Sequence, residues 1–367
     1  MRKLLNQPFD IVWRKALVSA PRLVPSLALR FTSPEGPQPF VYKLPSRGDY
    51  TIPLYVFIAV DITPEEISHL PVVIDFHGGG FFLGSCMEQA PFCAQLARQL
   101  RAVVMTVDYR MGPVDKFPAA IEDAEDVLSA VLDSSAKGYN ELRKELSKRV
   151  KETWRGTKNE PRDSKVTLDT SRMCVSGFSS GGNLALNCAL SINPPQEGAP
   201  WPSRFPQDYK HPLPLLLYYP SFDSRLLPSE RVKPPGLPVG NPFWSDVSDV
   251  LQPTYLSREQ AGHPRASPGL ASIKDGGLHA AARMFLVLPE LDTLSEQSET
   301  WVKKVIAEGR GDDLRVERFK GMQHGWTQMP DQMLNTPEEK KTKKEIHDEA
   351  VVFVRDIWDG KPLTPKA

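Results

Sequence analysis

The sequence predicts a doubly wound α/β fold with a mostly parallel sheet. Four short runs are apolar without alternation, which is typical of strands that are buried on both faces and covered by helices. These runs are "VVIDF" (72–76), "AVVMTVD" (102–108), "LPLLLYYP" (213–220) and "MFLVL" (284–288). Segments with helical periodicity lie between them, and strands that alternate with helices favour this layered architecture.

Each helix is predicted from apolar residues that recur three to four positions apart. The predicted helices are 118–132, 180–192 and 343–358. A more polar run at 309–321 predicts a further strand, nearer an edge of the sheet. The order of these elements along the chain is the one that a doubly wound fold requires.

Three regions do not follow the alternation. Residues 1–45 are apolar and interrupted by prolines, and residues 224–265 follow a predicted strand and contain "FWSDVSDVLQPTYL". Together they predict a helical cap over the carboxyl ends of the strands. Residues 138–168 predict a charged surface insert, in which one helix docks the face formed by Leu142, Leu146, Val150 and Trp154. We therefore expect an N-terminal cap segment at 1–45 and a main domain at 46–367 that carries the two inserts.

The composition argues against several classes of function. The chain has 45 basic and 45 acidic residues, whereas a nucleic-acid-binding protein usually has a basic excess. No uncharged apolar stretch reaches the ~18 residues of a membrane-spanning helix, and polar residues interrupt the start of the chain where a signal peptide would be apolar. The cysteines form no CxxC pair, so we expect reduced, buried thiols in a cytoplasmic protein. They are Cys86, Cys93, Cys174 and Cys188.

The stretch "GFSSGGN" (177–183) fits the pattern G-x-S-x-G with Ser179 at its centre. It follows a predicted strand and precedes a predicted helix that begins near Ser180, which is the strand–turn–helix context of a nucleophile elbow. Side chains at the two flanking glycines would collide with backbone in so tight a turn. Ser179 is therefore the candidate nucleophile, and a chance match to a five-residue pattern is the alternative.

The stretch "HGGGFFLG" (77–84) follows the strand at 72–76, upstream of the elbow. Backbone amides can stabilise the oxyanion of a tetrahedral intermediate where no side chain blocks the approach, which requires glycine. We assign this oxyanion hole to the amides of Gly79, Gly80 and Ser180, with Gly78 in the turn. His77 is expected to hold the loop by hydrogen bonding rather than to act as a base.

A serine nucleophile needs a base, and the base needs an acid that orients it, in the order Ser, acid, His. Among the later histidines, His324 lies in "KGMQHGWTQ", a loop after the polar strand, whereas His211 precedes a strand and His347 lies inside the last helix. Asp292 comes directly after the strand at 284–288 and is the preferred acid. Glu290 is the second candidate, and a helix N-cap is the other interpretation of Asp292.

Six blocks of the sequence resemble the signature blocks of the hormone-sensitive-lipase-like branch of the α/β-hydrolases. They are "HGGGFFLG", "VDYRMGPVDKFPAAIEDA", "GFSSGGN", "SPGLAS", "LDTL" and "HGW", in the family's order over about 70–326. The resemblance implies an α/β-hydrolase fold with a helical cap, a Ser179–Asp292–His324 triad and the oxyanion hole described above. The family elbow usually reads G-D-S-A-G-G, so Phe178 and Ser180 depart from it, and HGW replaces the usual HGF ending. We expect these changes to affect which substrate is bound rather than the catalytic mechanism.

The motifs and the resemblance together predict a serine carboxylic-ester hydrolase that needs no cofactor and no metal. A small-molecule ester is the expected partner. Bulky residues in the two cap segments favour small, soluble, short-acyl or aryl esters; these are Phe9, Trp13, Leu17, Phe31, Phe243 and Trp244. A lactonase, thioesterase, deacetylase or acyltransferase would use the same triad. A non-catalytic ligand receptor is the alternative from another class, and the presence of His324 argues against it, because the plant gibberellin receptors replace that histidine.

Overall fold

The computed structural model describes residues 35–154, 165–193, 200–238 and 242–363, without the side chains of 153–154 and 242–246. Within that part of the chain, eight strands form one sheet in the order β1-β2-β4-β3-β5-β6-β7-β8. The strands are β1 Phe40–Pro45, β2 Thr51–Phe57, β3 Leu70–Phe76, β4 Val103–Val107, β5 Leu168–Phe178, β6 Leu213–Tyr218, β7 Ala282–Leu291 and β8 Leu314–Gln323. The predicted α/β fold class is confirmed.

Strands β3 to β8 pair in parallel. Every residue of β3, β4 and β6 is buried, as their unbroken apolar runs predict. Alternate residues of β3 enter different cores: Val72 and Ile74 pack into one apolar cluster, and Val73 packs into the other. The polar strand β8 lies at the edge of the sheet, where the sequence places it.

The two N-terminal strands were not predicted. β1 pairs antiparallel with β2, and β2 pairs antiparallel with β4. The expected cap boundary at residue 45 is therefore wrong, because residues 40–45 belong to the sheet. Residues 52, 54 and 56 of β2 are buried and alternate with the more exposed residues 51, 53 and 55, and that alternation is the signal by which the strand could have been found. Residues 1–34 of the expected N-terminal cap segment lie outside the described residues.

Helices cover both faces of the sheet. The α-helices are α1 Ala90–Leu100, α2 Ala119–Leu132, α3 Tyr139–Trp154, α4 Ser180–Cys188, α5 Pro242–Tyr255, α6 Ser295–Ala307 and α7 Pro337–Trp358. Helices α2, α3, α4 and α6 contribute to one apolar core, and α1 and α7 contribute to the other. Each face of the sheet is thus covered by its own layer of helices, as in a doubly wound fold.

Two helices begin or end away from their predicted bounds. α7 begins six residues before the predicted start at 343, because Thr336 and Glu339 form a capping box and Pro337 occupies the first turn. α4 ends at Cys188 rather than at 192. In the charged insert, Leu142, Leu146 and Val150 of α3 are buried, whereas the side chain of Trp154, the fourth residue of the predicted docked face, lies outside the described residues.

The insert at 224–265 packs on the glycine-rich stretch at 77–84. The ring of Tyr255, at the end of α5, stacks on Phe81 with centroids 4.7 Å apart. Leu251 of the same helix packs against Phe82. These contacts bring the insert to the carboxyl ends of the strands. The side chains of Phe243 and Trp244, on which part of the cap prediction rests, lie outside the described residues.

All four cysteines are buried and form no disulfide, as expected from their spacing. No helix in the described part of the chain is both long enough and apolar enough to span a bilayer.

Candidate active site

Ser179 lies at the apex of a sharp turn between β5 and α4. β5 ends at Phe178 and α4 begins at Ser180, so the turn consists of Ser179 alone. Its backbone has φ 55° and ψ −116°, a strained conformation for a residue with a side chain. The surrounding glycines are required by space: a Cβ on Gly177 would lie 2.1 Å from the carbonyl oxygen of Gly181, and one on Gly181 would lie 2.0 Å from that of Phe76.

Phe178, which stands where the related elbows have an acidic residue, faces the core. It is fully buried and stacks on Tyr218 with ring centroids 4.4 Å apart. It also meets the edge of Phe92 at 5.8 Å. This substitution therefore supports the elbow from the core side and does not enter the cleft above Ser179.

The structure brings Ser179, His324 and Asp292 into one hydrogen-bonded chain. His324 Nε2 lies 3.0 Å from Ser179 Oγ, and His324 Nδ1 lies 2.7 Å from Asp292 Oδ2. A carboxylate can only accept, so Nδ1 carries the hydrogen and Nε2 is left to accept from the serine hydroxyl. The Asp292 side chain is 3% exposed and that of His324 is 38% exposed, so the acid is shielded while the imidazole reaches the cleft.

Asp292 has two roles at once. While Oδ2 faces the imidazole, Oδ1 accepts a hydrogen bond of 2.8 Å from the amide of Leu294, just before α6. The N-cap of α6 is Leu294 and receives no side-chain cap, so the alternative interpretation of Asp292 as a helix N-cap is wrong. Glu290, the second candidate acid, is exposed and accepts instead from the amide of Gly321 at 2.8 Å.

The glycine loop lies beside the elbow. A Cβ on Gly78 would be 3.4 Å from Ser179 Cβ. Gly79 and Gly80 have positive φ angles of 117° and 64°, which glycine adopts without strain. Among the described residues, no hydrogen bond engages the amides of Gly79, Gly80 or Ser180, and all three residues line the cleft at Ser179. These amides are thus available to a bound oxyanion.

His77 is held behind this loop. Its Nδ1 lies 2.7 Å from the carbonyl oxygen of Gly78, and its ring stacks on Tyr109 with centroids 4.3 Å apart. The Tyr109 hydroxyl donates to the carbonyl of His77 at 2.7 Å. The side chain is fully buried, and these contacts agree with a supporting role rather than that of a base.

Among the described residues, one group of side chains has the chemistry to hold a cation. A nitrogen of His77, the sulfur of Cys86 and a carboxylate oxygen of Asp108 lie within 4.8 Å of one another, behind the glycine loop. His77 Nε2 is 4.0 Å from Asp108 Oδ1. The group does not border the cleft, so the chemistry at Ser179 can be derived without it.

The structure adds residues around His324 that the sequence did not identify. Tyr219 presents its ring to the imidazole with centroids 4.8 Å apart, and its hydroxyl lies 2.6 Å from Thr327 Oγ1. Gln328 lines the cleft and donates to Gln89 at 3.4 Å. Thr327 and Gln328 follow the HGW block closely, and this proximity in sequence was their only signal.

A cleft of about 340 Å³ opens at Ser179, within the size range of small-molecule sites, about 300–1,000 Å³. The glycine loop forms one wall, and the loops that carry Asp292 and His324 form another. The insert at 224–265 supplies the remaining wall. Its described contributors are Ser224, Pro228, Arg231, Ser248, Gln252, Tyr255 and Leu256. Most of the lining surface is apolar, and the insert wall also carries polar side chains such as those of Ser224, Arg231 and Gln252.

We expect Gly79→Ala to lower turnover by about 10²–10³, the loss that follows removal of one oxyanion donor. A Cβ at this position would lie 2.2 Å from the carbonyl oxygen of Leu83, and φ is 117°, so the loop must move. Gly262→Ala is the control, since its Cβ would meet nothing within 4 Å. Measured kcat and thermal melting of both variants decide the point; a fully active Gly79→Ala protein would contradict the assigned hole.

The sheet, the elbow at Ser179 and the cleft above it define an α/β-hydrolase. A family model described as "alpha/beta hydrolase fold" matches residues 73–328, so the chain belongs to the α/β-hydrolase fold family. The resemblance that the sequence motifs indicate is confirmed.

Named relatives and solved structures agree with this family. The chain is 34% identical over 140 residues to Probable carboxylesterase 8 of Arabidopsis thaliana, covering 37% of each chain. It is 37% identical over 123 residues to 3-O-acetylpapaveroxine carboxylesterase CXE2 of Papaver somniferum, covering 33% of this chain and 34% of that one. The matched part thus spans about a third of these relatives. The fold resembles a hyperthermophilic esterase of the archaeon Pyrobaculum calidifontis, with a TM-score of 0.59, 22% identity and 96% of each chain covered.

Proposed function

We propose that the protein is a serine carboxylic-ester hydrolase that works through an acyl-enzyme. The observation that carries the proposal is the chain of contacts from Ser179 Oγ through His324 to Asp292, at the floor of an open cleft. The names of the carboxylesterases to which the chain is similar support the same class of substrate.

In the proposed mechanism, Ser179 Oγ attacks the ester carbonyl while His324 Nε2 takes the hydroxyl proton. The developing oxyanion is stabilised by the amides of Gly79, Gly80 and Ser180, and the N-terminus of α4 adds its positive dipole. His324 then protonates the leaving alcohol. Water, deprotonated by the same nitrogen, attacks the acyl-enzyme; the bond to Ser179 Oγ breaks, His324 returns the proton to that oxygen, and the acid is released. Asp292 keeps the imidazole in the required tautomer and stabilises its charged form.

The direct test is labelling with a fluorophosphonate probe, followed by mapping of the modified residue. We expect a single adduct on Ser179, because within the described residues only this hydroxyl contacts the imidazole. A protein that binds the probe reversibly and forms no adduct would favour the ligand-receptor alternative. A panel of lactones, thioesters, acetamides and acyl acceptors then separates the other reactions that the same triad can perform.

Substrate size gives a second test. We expect p-nitrophenyl acetate and butyrate to be hydrolysed with a higher kcat/KM than the decanoate and palmitate esters. A cleft of about 340 Å³ leaves little room for a long acyl chain. Hydrolysis of emulsified triolein should show no jump above its solubility limit. A preference for long chains with activation by the emulsion would instead identify a lipase.

A further inference from the structure

Arg231 places a positive charge in the wall of the candidate active site. It lies in the insert at 224–265 and lines the same cleft as Ser179 and His324. Among the described lining residues it is the sole lysine or arginine. It also borders a neighbouring cleft of about 250 Å³, and Thr293, next to the triad acid, lines both clefts with it.

The guanidinium of Arg231 is only partly satisfied. Nε donates to the carbonyl oxygen of Leu226 at 3.3 Å, and Nη2 donates to Gln252 Oε1 at 3.3 Å. Both bonds are long and both acceptors are neutral, whereas a guanidinium has five N–H donors. Within the described part of the chain, no carboxylate lies within ion-pairing distance of this side chain.

Three acidic side chains are near enough to act on Arg231 electrostatically. Burial lowers the pKa of the guanidinium, and these carboxylates oppose that lowering, so Arg231 stays protonated at neutral pH. Each carboxylate already accepts from another group. The pairs are Asp223 with Arg225 at 2.7 Å, Asp249 with the amide of Ser229 at 3.1 Å, and Asp292 with His324 at 2.7 Å.

A half-buried cation without an ion-pair partner, at the wall of a substrate cleft, is suited to a negatively charged ligand group. The planar guanidinium matches a carboxylate with two parallel hydrogen bonds. A phosphate dianion fits less well, because the three neighbouring carboxylates repel a second negative charge more strongly than a single one. The cleft is too small for a large acidic partner and large enough for a short ester that carries one carboxylate.

We propose that Arg231 binds a carboxylate on the substrate, so that the preferred esters are acidic ones: half-esters of short dicarboxylic acids or acyl esters of hydroxy acids. This inference rests on the proposed ester hydrolysis at Ser179. It adds to it the charge of the substrate, which neither the triad nor the oxyanion hole determines.

The test compares two matched pairs of esters. The acyl-side pair is p-nitrophenyl hemiglutarate and p-nitrophenyl valerate, and the alcohol-side pair is 4-acetoxybenzoate and its methyl ester. We expect the wild-type protein to favour the anionic member of at least one pair by about tenfold or more in kcat/KM, as for a hydrogen bond to a charged group. The pair that shows the preference identifies the side of the ester that faces Arg231.

Substitutions then test whether Arg231 causes the preference for the anionic ester. Arg231→Gln should abolish the preference, measured as the ratio of kcat/KM within each pair, and Arg231→Lys should retain part of it, since the charge remains and the fork is lost. Lys233→Gln is the control: Lys233 is an exposed cation two positions away that does not line the cleft. Equal rates for both members of both pairs in the wild type, or an unchanged preference in Arg231→Gln, would overturn the proposal.

A binding measurement separates this proposal from the proposed hydrolysis. Titration calorimetry of p-nitrophenyl hemiglutarate with the Ser179→Ala protein, with and without Arg231→Gln, needs no turnover. We expect the second substitution to weaken binding by about tenfold or more. If the wild type hydrolyses no ester and this loss of binding is still found, the proposed ester hydrolysis is wrong and the proposed binding of a carboxylate by Arg231 is supported. If binding is equal in the two proteins, the proposed binding of a carboxylate by Arg231 is wrong.

Discussion

In the Ser179→Ala protein, hydrolysis of p-nitrophenyl acetate is expected to fall by about 10⁶ in kcat, the size of loss found when a triad serine is removed. Ser179 Oγ lies 3.0 Å from His324 Nε2, and Ser179 is at the apex of the elbow. Alanine leaves the amides of the glycine loop and of α4 in place, but no group can form the acyl-enzyme.

The fold should survive this substitution. Alanine has the same backbone freedom as serine at φ 55°, and the glycines that shape the elbow are untouched. We expect the melting temperature to change little, since the serine hydroxyl contributes about one hydrogen bond. The fluorophosphonate adduct should disappear with the activity.

Ser180→Ala is the matched control. Its hydroxyl is buried, lies 3.4 Å from that of Tyr109, and has no contact with His324, whereas its backbone amide is kept by alanine. A mild loss of turnover is expected. An inactive Ser180→Ala protein beside an active Ser179→Ala protein would show that the nucleophile has been assigned to the wrong serine.

Asp292→Asn is expected to lower kcat by about 10⁴, the loss that follows when a triad acid no longer fixes the imidazole tautomer. The asparagine oxygen can still accept from the amide of Leu294, as Asp292 Oδ1 does at 2.8 Å. Its amide nitrogen would then face His324 Nδ1 and donate to it. The hydrogen would move to Nε2, which could no longer accept the proton of Ser179.

Glu290→Gln tests the other candidate acid. Glu290 is exposed and holds the amide of Gly321 near the end of β8, away from the imidazole. We expect a small change in kcat, because glutamine can still accept that hydrogen bond. Steady-state kinetics of both variants, with circular dichroism as a check on folding, decide the matter. A severe loss at Glu290 with a mild one at Asp292 would transfer the role of the acid to Glu290.

The elbow and the glycine loop could be predicted because their chemistry is local. A turn at Ser179 needs Gly177 and Gly181, since a Cβ on either would lie about 2 Å from a carbonyl oxygen. Steric requirements of this kind appear in the sequence as fixed spacings. The central strands could also be predicted from the sequence, because a strand covered on both faces must be apolar throughout.

The antiparallel strands β1 and β2 were harder to predict. Strand β1 lies at the edge of the sheet, and only Leu44 of its six residues is buried. Its residues therefore carry little of the apolar excess by which a buried strand is recognised. What holds it is its pairing with β2, a contact between segments whose sequence does not specify the partner.

The sequence by itself determined the fold class, the elbow, the glycine loop and the order of the candidate serine, acid and histidine, because each follows from local backbone sterics or from burial on both faces of a strand. Only the tertiary structure decided that Asp292, rather than Glu290, faces His324. It alone placed Tyr219 against the imidazole and Arg231 in the wall of the cleft. Positions 179, 231, 292 and 324 are dozens of residues apart, and their proximity depends on how the sheet orders its strands and where the insert folds back. No local sequence pattern specifies how close these four positions lie, so the positive charge in the cleft could be identified only from the tertiary structure.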